Sequence, residues 1–207
     1  MLNTNLSNII IKRLLNHKLI DFRCKEDIKE KLINSLFIHE DFISTLEEKS
    51  LFQEIDPFLK NLIYENDHWD DAIIGYRETE KKSWNKNNTK IIDKIKDTAF
   101  LDKNMIIPYI HILDLSKNGY IKPHVDSIKF CGNIIATLSI LSASILRLSH
   151  INEDAIIDVL IPPKSLYIIK DFARYNFNHE ILATGNLFKG STINKERRIS
   201  IICRNKI

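Results

Sequence analysis

The stretch NGYIKPHVDSIKF, Asn118 to Phe130, sets His124 two residues before Asp126. An imidazole and a carboxylate projecting the same way can share one cation. Side chains alternate across a strand, so on an extended chain Tyr120, Lys122, His124 and Asp126 take one face, and Ile121 and Val125 the other. Two ligands make a weak site, and the tripeptide alone also reads as a surface strand with two polar side chains. Asn118-Gly119 just before it reads as the tight turn of a β-hairpin.

YNFNHEIL offers a third ligand, His179, flanked by Phe177 and Ile181 on its own strand face. A lone His there also suits a hydrogen-bonded core position. Two His and one carboxylate together form the facial set that binds non-haem iron(II) and leaves other coordination positions open. RRISIICR adds two guanidinium groups. Arg198, Ser200, Ile202 and Arg204 alternate onto one face, while Ile199, Ile201 and Cys203 take the other and read as core. Arg binds carboxylates through a planar fork of donors, so a dicarboxylic co-substrate chelating the metal at one end would find a partner here at its other end. Solvated arginines on a terminal strand would give the same segment.

These residues need a scaffold. Glu26 to Phe37 and Ser44 to Tyr64 space Ile, Leu and Phe at three and four, which predicts helices, and Asn88 to Phe100 predicts another. Tyr64 to Trp84 is irregular, highly charged and holds both tryptophans. Asp67, His68, Trp69, Tyr76, Arg77 and Glu78 in it could shape the mouth of a site or form a buttress on a sheet. After Met105 the period becomes strand-like. Strands are expected over Ile107–Leu115, Gly119–Ser127, Ile134–Ser142, Ile145–Ser149, Ala155–Ile161, Ser165–Asp171, Tyr175–Leu182 and Arg197–Arg204. Turn signals and a long loop from Gly185 to Lys195 part them. Short strands after a helical prelude predict an α+β, mainly β fold: a jelly-roll or cupin-like double sheet with an N-terminal helical buttress.

The 207 residues suffice for one domain with a sizeable core. Hydrophobic content of 44% and charged content of 28% exclude a wholly disordered chain. A net charge of +3 tolerates anionic partners but is too small to argue for nucleic acid unaided. Cys24, Cys131 and Cys203 are odd in number and far apart, which suits a reducing compartment. No apolar run spans a membrane, and the sequence holds neither a glycine-rich phosphate loop nor a serine nucleophile elbow. The first twenty residues lack Asp and Glu and carry Lys12, Arg13 and Lys18 among Ile and Leu, the pattern of a mitochondrial transit peptide or of an ordinary basic helix.

HVD at 124–126, His179 and the Arg-x-Ser-x-x-x-Arg pattern of RRISIICR resemble the AlkB-type iron(II) and 2-oxoglutarate-dependent dioxygenases. YENDHWDDAIIGYRETEKKSW, GYIKPHVDSIKFCG and SLYIIKDFARYNFNHEIL narrow the resemblance to the mitochondrial subfamily that is the seventh AlkB homologue of animals, over residues 26 to 205. The resemblance implies a double-stranded β-helix over 105–205, a helical and buttress region over 26–100, and a single domain over 26–207 after a transit segment at 1–25. It implies iron ligands His124, Asp126 and His179, and 2-oxoglutarate contacts from Tyr167, Arg198, Ser200 and Arg204, with Arg204 pairing one carboxylate. It implies dioxygen as oxidant, a monomer in the mitochondrial matrix, and roles in alkylation-induced programmed necrosis, fatty-acid metabolism and demethylation of mitochondrial tRNA precursors. Nucleic-acid-repairing relatives carry a lid of β-hairpins before the iron-binding strand. Here that region reads as the charged segment and a helix, which makes duplex DNA a poor substrate and favours a flexible RNA strand or a protein side chain. A protein hydroxylase and a low-turnover iron and 2-oxoglutarate-binding scaffold are the competing readings.

Overall fold

The computed structural model describes residues 18–68 and 71–207. In chain order these form β1 (Ile20–Arg23), α1 (Glu26–Ile33), β2 (Leu36–His39), α2 (Thr45–Leu59), β3 (Ile73–Lys81), α3 (Lys86–Ala99), β4 (Ile110–His124) and β5 (Ile134–Ile140). There follow β6 (Ser144–His150), β7 (Ile156–Ile161), β8 (Ser165–Lys170), α4 (Asp171–Asn176), β9 (Phe177–Ile181), β10 (Asn186–Phe188), β11 (Ser191–Ile193) and β12 (Arg198–Arg204). Ten of the strands join one curled antiparallel sheet, mainly β as expected, in the order β1-β7-β6-β9-β4-β12-β5-β8-β2, with β3 also paired to β4.

The long strand β4 turns this sheet into two facing layers. Its first half pairs β12 through Ile112↔Ile201 and neighbours, and its end pairs β9 through His124↔His179. Leu113, Leu115, Ile135, Tyr167, Ile169 and Ile202 from one layer pack with Leu146, Leu148, Ile157, Val159, Phe177 and Ile181 from the other. The alternate residues Ile110, Ile112, Ala136, Leu138, Ile140, Ile199, Ile201 and Cys203 form the outer face, which α2 and α3 cover through Leu51, Ile55, Leu59, Ile91, Ile92 and Ile95. That is the expected buttress. A capping box starts α2, with the Ser44 side chain accepting from Glu47 N–H and Glu47 accepting from Ser44 N–H. The Asn85 side chain caps α3 by accepting from the N–H groups of Asn87 and Asn88.

Several expectations change. Helix α1 stops at Ile33, and Leu36–His39 pairs β8 instead, with Leu36 and Ile38 inward. The charged 64–84 segment contains β3, whose charges are met by distant partners rather than by solvent alone. Asn118-Gly119 does not close a hairpin: β4 runs on through it. Register against β3 jumps there, from Ile74↔Tyr120 to Tyr76↔Leu115, so the dipeptide sits in a bulge. Gly75 at φ +63° faces Gly119, and a Cβ on Gly119 would lie 2.4 Å from the Gly75 carbonyl oxygen. The glycine is required by close backbone approach, not by a turn. Buried Lys195 caps the same bulge, donating from Nζ to the carbonyls of Ser116 (2.7 Å) and Lys117 (2.8 Å). The loop expected over Gly185 to Lys195 contains the β10–β11 hairpin. Tyr175 and Asn176 belong to α4, so the strand that holds His179 starts at Phe177.

The strand of His124 ends at His124, and Asp126 lies on the loop after it rather than on the strand itself. A second register shift between Ile121 and His124 also overturns simple alternation: Ile121 pairs Ile181 and His124 pairs His179. Pro123 in this interval has no N–H for a ladder. At the other end, Leu19 and Ile20 are buried and β1 pairs β7, so part of the 1–25 segment belongs to the sheet. The remainder of that segment up to residue 17, and Trp69, lie outside the described residues.

Candidate metal and co-substrate site

His124 closes β4, Asp126 follows it on the loop, and His179 faces His124 across the β4–β9 pair. Their ligand atoms lie within 4.8 Å of one another, the one such cluster of three among the described residues. His124 Nε2 is 3.4 Å and His179 Nε2 3.3 Å from the same atom, Asp126 Oδ1. His124 Nδ1 is 3.0 Å from the Lys122 carbonyl oxygen. That acceptor fixes the tautomer with the proton on Nδ1, so Nε2 presents its lone pair to the cluster.

Electrostatics favours a cation. Burial pushes the Asp126 carboxyl up, but the Arg204 charge and the two neighbouring histidines outweigh it and hold the group well below the usual carboxylate range. Burial lowers the His179 pKa, against the opposing pull of Asp126, which keeps the imidazole neutral and able to ligate. Two neutral imidazoles and one carboxylate are the donor set suited to iron(II).

The arginines on β12 divide the work. Arg204 Nε donates to Asp126 Oδ2 at 2.7 Å, and its Nη1 donates to His111 Nδ1 at 3.3 Å. His111 Nε2 in turn donates to Glu78 Oε2 at 2.7 Å. Arg198 is fully buried, donating from Nε to Ser139 Oγ at 2.9 Å and from Nη1 to Ser200 Oγ at 2.6 Å. Its Nη2 has no acceptor. A buried guanidinium nitrogen without an acceptor costs free energy and calls for an anion, which is the fit expected of a carboxylate-bearing co-substrate. Tyr167 shares this interior with Ile202. Arg197 faces the other way, onto Asp114 and Asp56.

A cavity of about 940 Å³ opens over His124 and Asp126, with His111, Arg204, Lys122, Tyr109 and Phe130 in its wall. Of the residues expected at its mouth, His68 and Glu78 line it. Tyr76 is buried in the core, Arg77 turns to Asp114, and Asp67 is exposed elsewhere. His111 and Ser139 were missed. Alternation carried a signal for both: His111 shares parity with inward Leu113 and Leu115, and Ser139 with inward Ile135.

No family model matches the chain. Three curated relatives do. The mitochondrial alpha-ketoglutarate-dependent dioxygenase alkB homolog 7 of Bos taurus is 45% identical over 180 residues, covering 86% of this chain and 81% of the bovine one. The Mus musculus protein of that name is 44% identical over 177 residues, covering 84% and 80%. An uncharacterized protein of Acanthamoeba polyphaga mimivirus is 31% identical over 195 residues, covering 86% and 88%. Among solved structures, OsALKBH1 matches at a TM-score of 0.58 and 10% identity over 83% of this chain and 98% of its own. A Trichoplax adhaerens prolyl hydroxylase in complex with a hypoxia inducible factor peptide fragment matches at 0.58 and 12%, over 98% and 89%. Both share the curled double sheet found here. On the identity to the bovine and murine proteins, the chain belongs to the alkB homolog 7 family of alpha-ketoglutarate-dependent dioxygenases and is an oxidoreductase of that type.

Proposed function

We propose that His124, Asp126 and His179 hold iron(II), and that Arg198, Ser200 and Tyr167 receive the far carboxylate of 2-oxoglutarate, with Arg204 at the metal end. The observation that carries this reading is the pairing of one feature with another. Two imidazole Nε2 atoms converge on Asp126 Oδ1, and in the same interior Arg198 Nη2 lacks an acceptor. Iron(II) held there would supply the oxidation of a C–H bond by dioxygen, coupled to conversion of 2-oxoglutarate to succinate and carbon dioxide. The chain's own residues do the rest. Lys122 fixes the His124 tautomer through its carbonyl, Arg204 holds Asp126 Oδ2 so that Oδ1 faces the histidines, and Arg198 orients the dicarboxylate.

The substrate reading is a C–H oxygenase acting on N-methylated mitochondrial RNA, whose hydroxylated methyl group leaves as formaldehyde. A second reading, hydroxylation of a protein side chain, is supported by the open mouth. Between α2 and β4 the one strand among the described residues is β3, which pairs β4 itself and forms no hairpin lid. The names of the mammalian relatives support a mitochondrial location, and we assign the matrix. The roles in necrosis and fatty-acid metabolism would follow from that turnover. Succinate release tests the proposal, with methylated tRNA and mitochondrial protein extract as separate arms. Stimulation by one arm selects the substrate class. No stimulation by either, with the metal and co-substrate bound, supports the low-turnover scaffold instead.

A further inference from the structure

Cys131 lies at the wall of the cavity, on the loop that follows Asp126, and is 4% exposed. Its backbone N–H and its Sγ both point to the Ser127 carbonyl, at 3.3 Å and 3.5 Å. On its other side stands Arg174 from α4, a fully buried guanidinium whose Nη2 donates to Cys131 Sγ at 3.3 Å. Arg174 Nε and Nη1 have no acceptor at all. Among the described residues no carboxylate pairs with Arg174, so a buried cation is aimed at one sulfur with two donors unused. The charge of Arg204 also reaches Cys131.

We propose that Cys131 is a peroxide-sensitive thiol whose oxidised form Arg174 is built to hold. Hydrogen peroxide is the oxidant. The thiolate sulfur attacks one peroxide oxygen, the O–O bond breaks, and an S–O bond forms. Sulfur is oxidised to the sulfenic acid, and the departing hydroxide takes the sulfenic proton, leaving the sulfenate and water. The new oxygen is a charged acceptor one bond from the sulfur, and it meets the guanidinium donors that now lack one. The other two cysteines lack this partner. Burial raises the pKa of Cys24, and it pushes Cys203 up to about 12. Exposure and anion partner therefore point to different cysteines: Cys24 is the more accessible, and Cys131 is the one with a waiting cation.

The experiment treats the full chain, in chelator and without iron, with low hydrogen peroxide and the sulfenate trap dimedone, followed by peptide mass analysis of each cysteine. Cys131 should be labelled first, and Arg174→Gln should slow its labelling about ten-fold, the effect of losing one hydrogen bond to a charged group. Arg174→Lys should recover part of the rate. Circular dichroism checks that both variants are folded. In the unaltered chain, labelling of Cys24 ahead of Cys131 overturns the proposal whatever the variants do. Equal rates in folded Arg174→Gln and unaltered protein overturn the role given to Arg174. None of these readouts needs bound iron or 2-oxoglutarate, so they stand apart from the metal assignment.

Discussion

Arg204 and Asp126 meet through a single 2.7 Å hydrogen bond from Nε to Oδ2, which ties the last residue of β12 to the loop that follows β4. The carboxylate thus has one oxygen spoken for and one facing two histidines. Arg204→Ala should therefore weaken iron(II) as well as 2-oxoglutarate. Loss of a hydrogen-bonding partner behind a metal ligand typically costs about 10- to 100-fold in metal affinity. Anaerobic titration with iron(II) measures it, and unchanged iron affinity would mean that Arg204 does not orient Asp126.

Arg198→Ala should be the more selective lesion. It removes the buried fork whose Nη2 lacks an acceptor and should weaken 2-oxoglutarate by about 2–5 kcal/mol, or roughly 30- to several-thousand-fold, with iron affinity preserved. Arg198→Lys keeps charge without the fork and should fall between. Arg197→Ala should leave 2-oxoglutarate affinity within about two-fold yet lower stability by about 1–3 kcal/mol, since it strips donors from buried Asp114 and Asp56. A severe affinity loss in Arg197→Ala instead would contradict the facing of β12.

His179→Ala should reduce iron from stoichiometric to background while circular dichroism and melting remain those of a folded chain. Full iron content in that variant would remove His179 from the ligand set.

Gly119→Ala tests the bulge. Its new Cβ would meet the Gly75 carbonyl at 2.4 Å, a contact with backbone that cannot swing aside. The expected loss is about 2–4 kcal/mol, in the range of strained backbone substitutions, read as a lower denaturation midpoint. A loss below about 0.5 kcal/mol would show that the two strands can part freely there.

Cys203 predicts an alkaline instability. Burial raises its folded pKa to about 12, from 9.0 in the free residue. An acid with a raised folded pKa stays protonated in the fold while the unfolded chain releases its proton. Its stability contribution is therefore full below pH 9 and falls as pH rises toward 12, by about 1.4 kcal/mol per pH unit. Cys203→Ala removes this slope, so the stability gap between the two proteins should close between pH 9 and 11. A constant gap over that range would refute the assignment.

The sequence was most legible where strands are uninterrupted. On β12, alternation alone separates Arg198, Ser200 and Ile202 from Ile199, Ile201 and Cys203, and the two core clusters divide the same way. On β4 the three candidate ligands do come together, but not by the simple alternation expected, because two register shifts break the period and Asp126 lies beyond the strand. Asn-Gly looks identical in a turn and in a bulge, since both need a residue without Cβ. β3 was hidden by its charges. Arg77 and Glu78 find Asp114 and His111 on the neighbouring strand, and no pattern within one segment reveals such pairs.

Lys195, which clasps the β4 bulge, brings a second buried cation close to Arg198. Burial and then the Arg198 charge depress its pKa to about 8. Neither group has a carboxylate within ion-pair distance among the described residues. On the proposed assignment, the dianion that binds Arg198 is also the missing counter-ion of the interior. It then acts as a folding ligand: at 100-fold over its dissociation constant it adds about 2.7 kcal/mol to stability. The polypeptide's lifetime against proteolysis, and not only its turnover, would rise and fall with the supply of one metabolite.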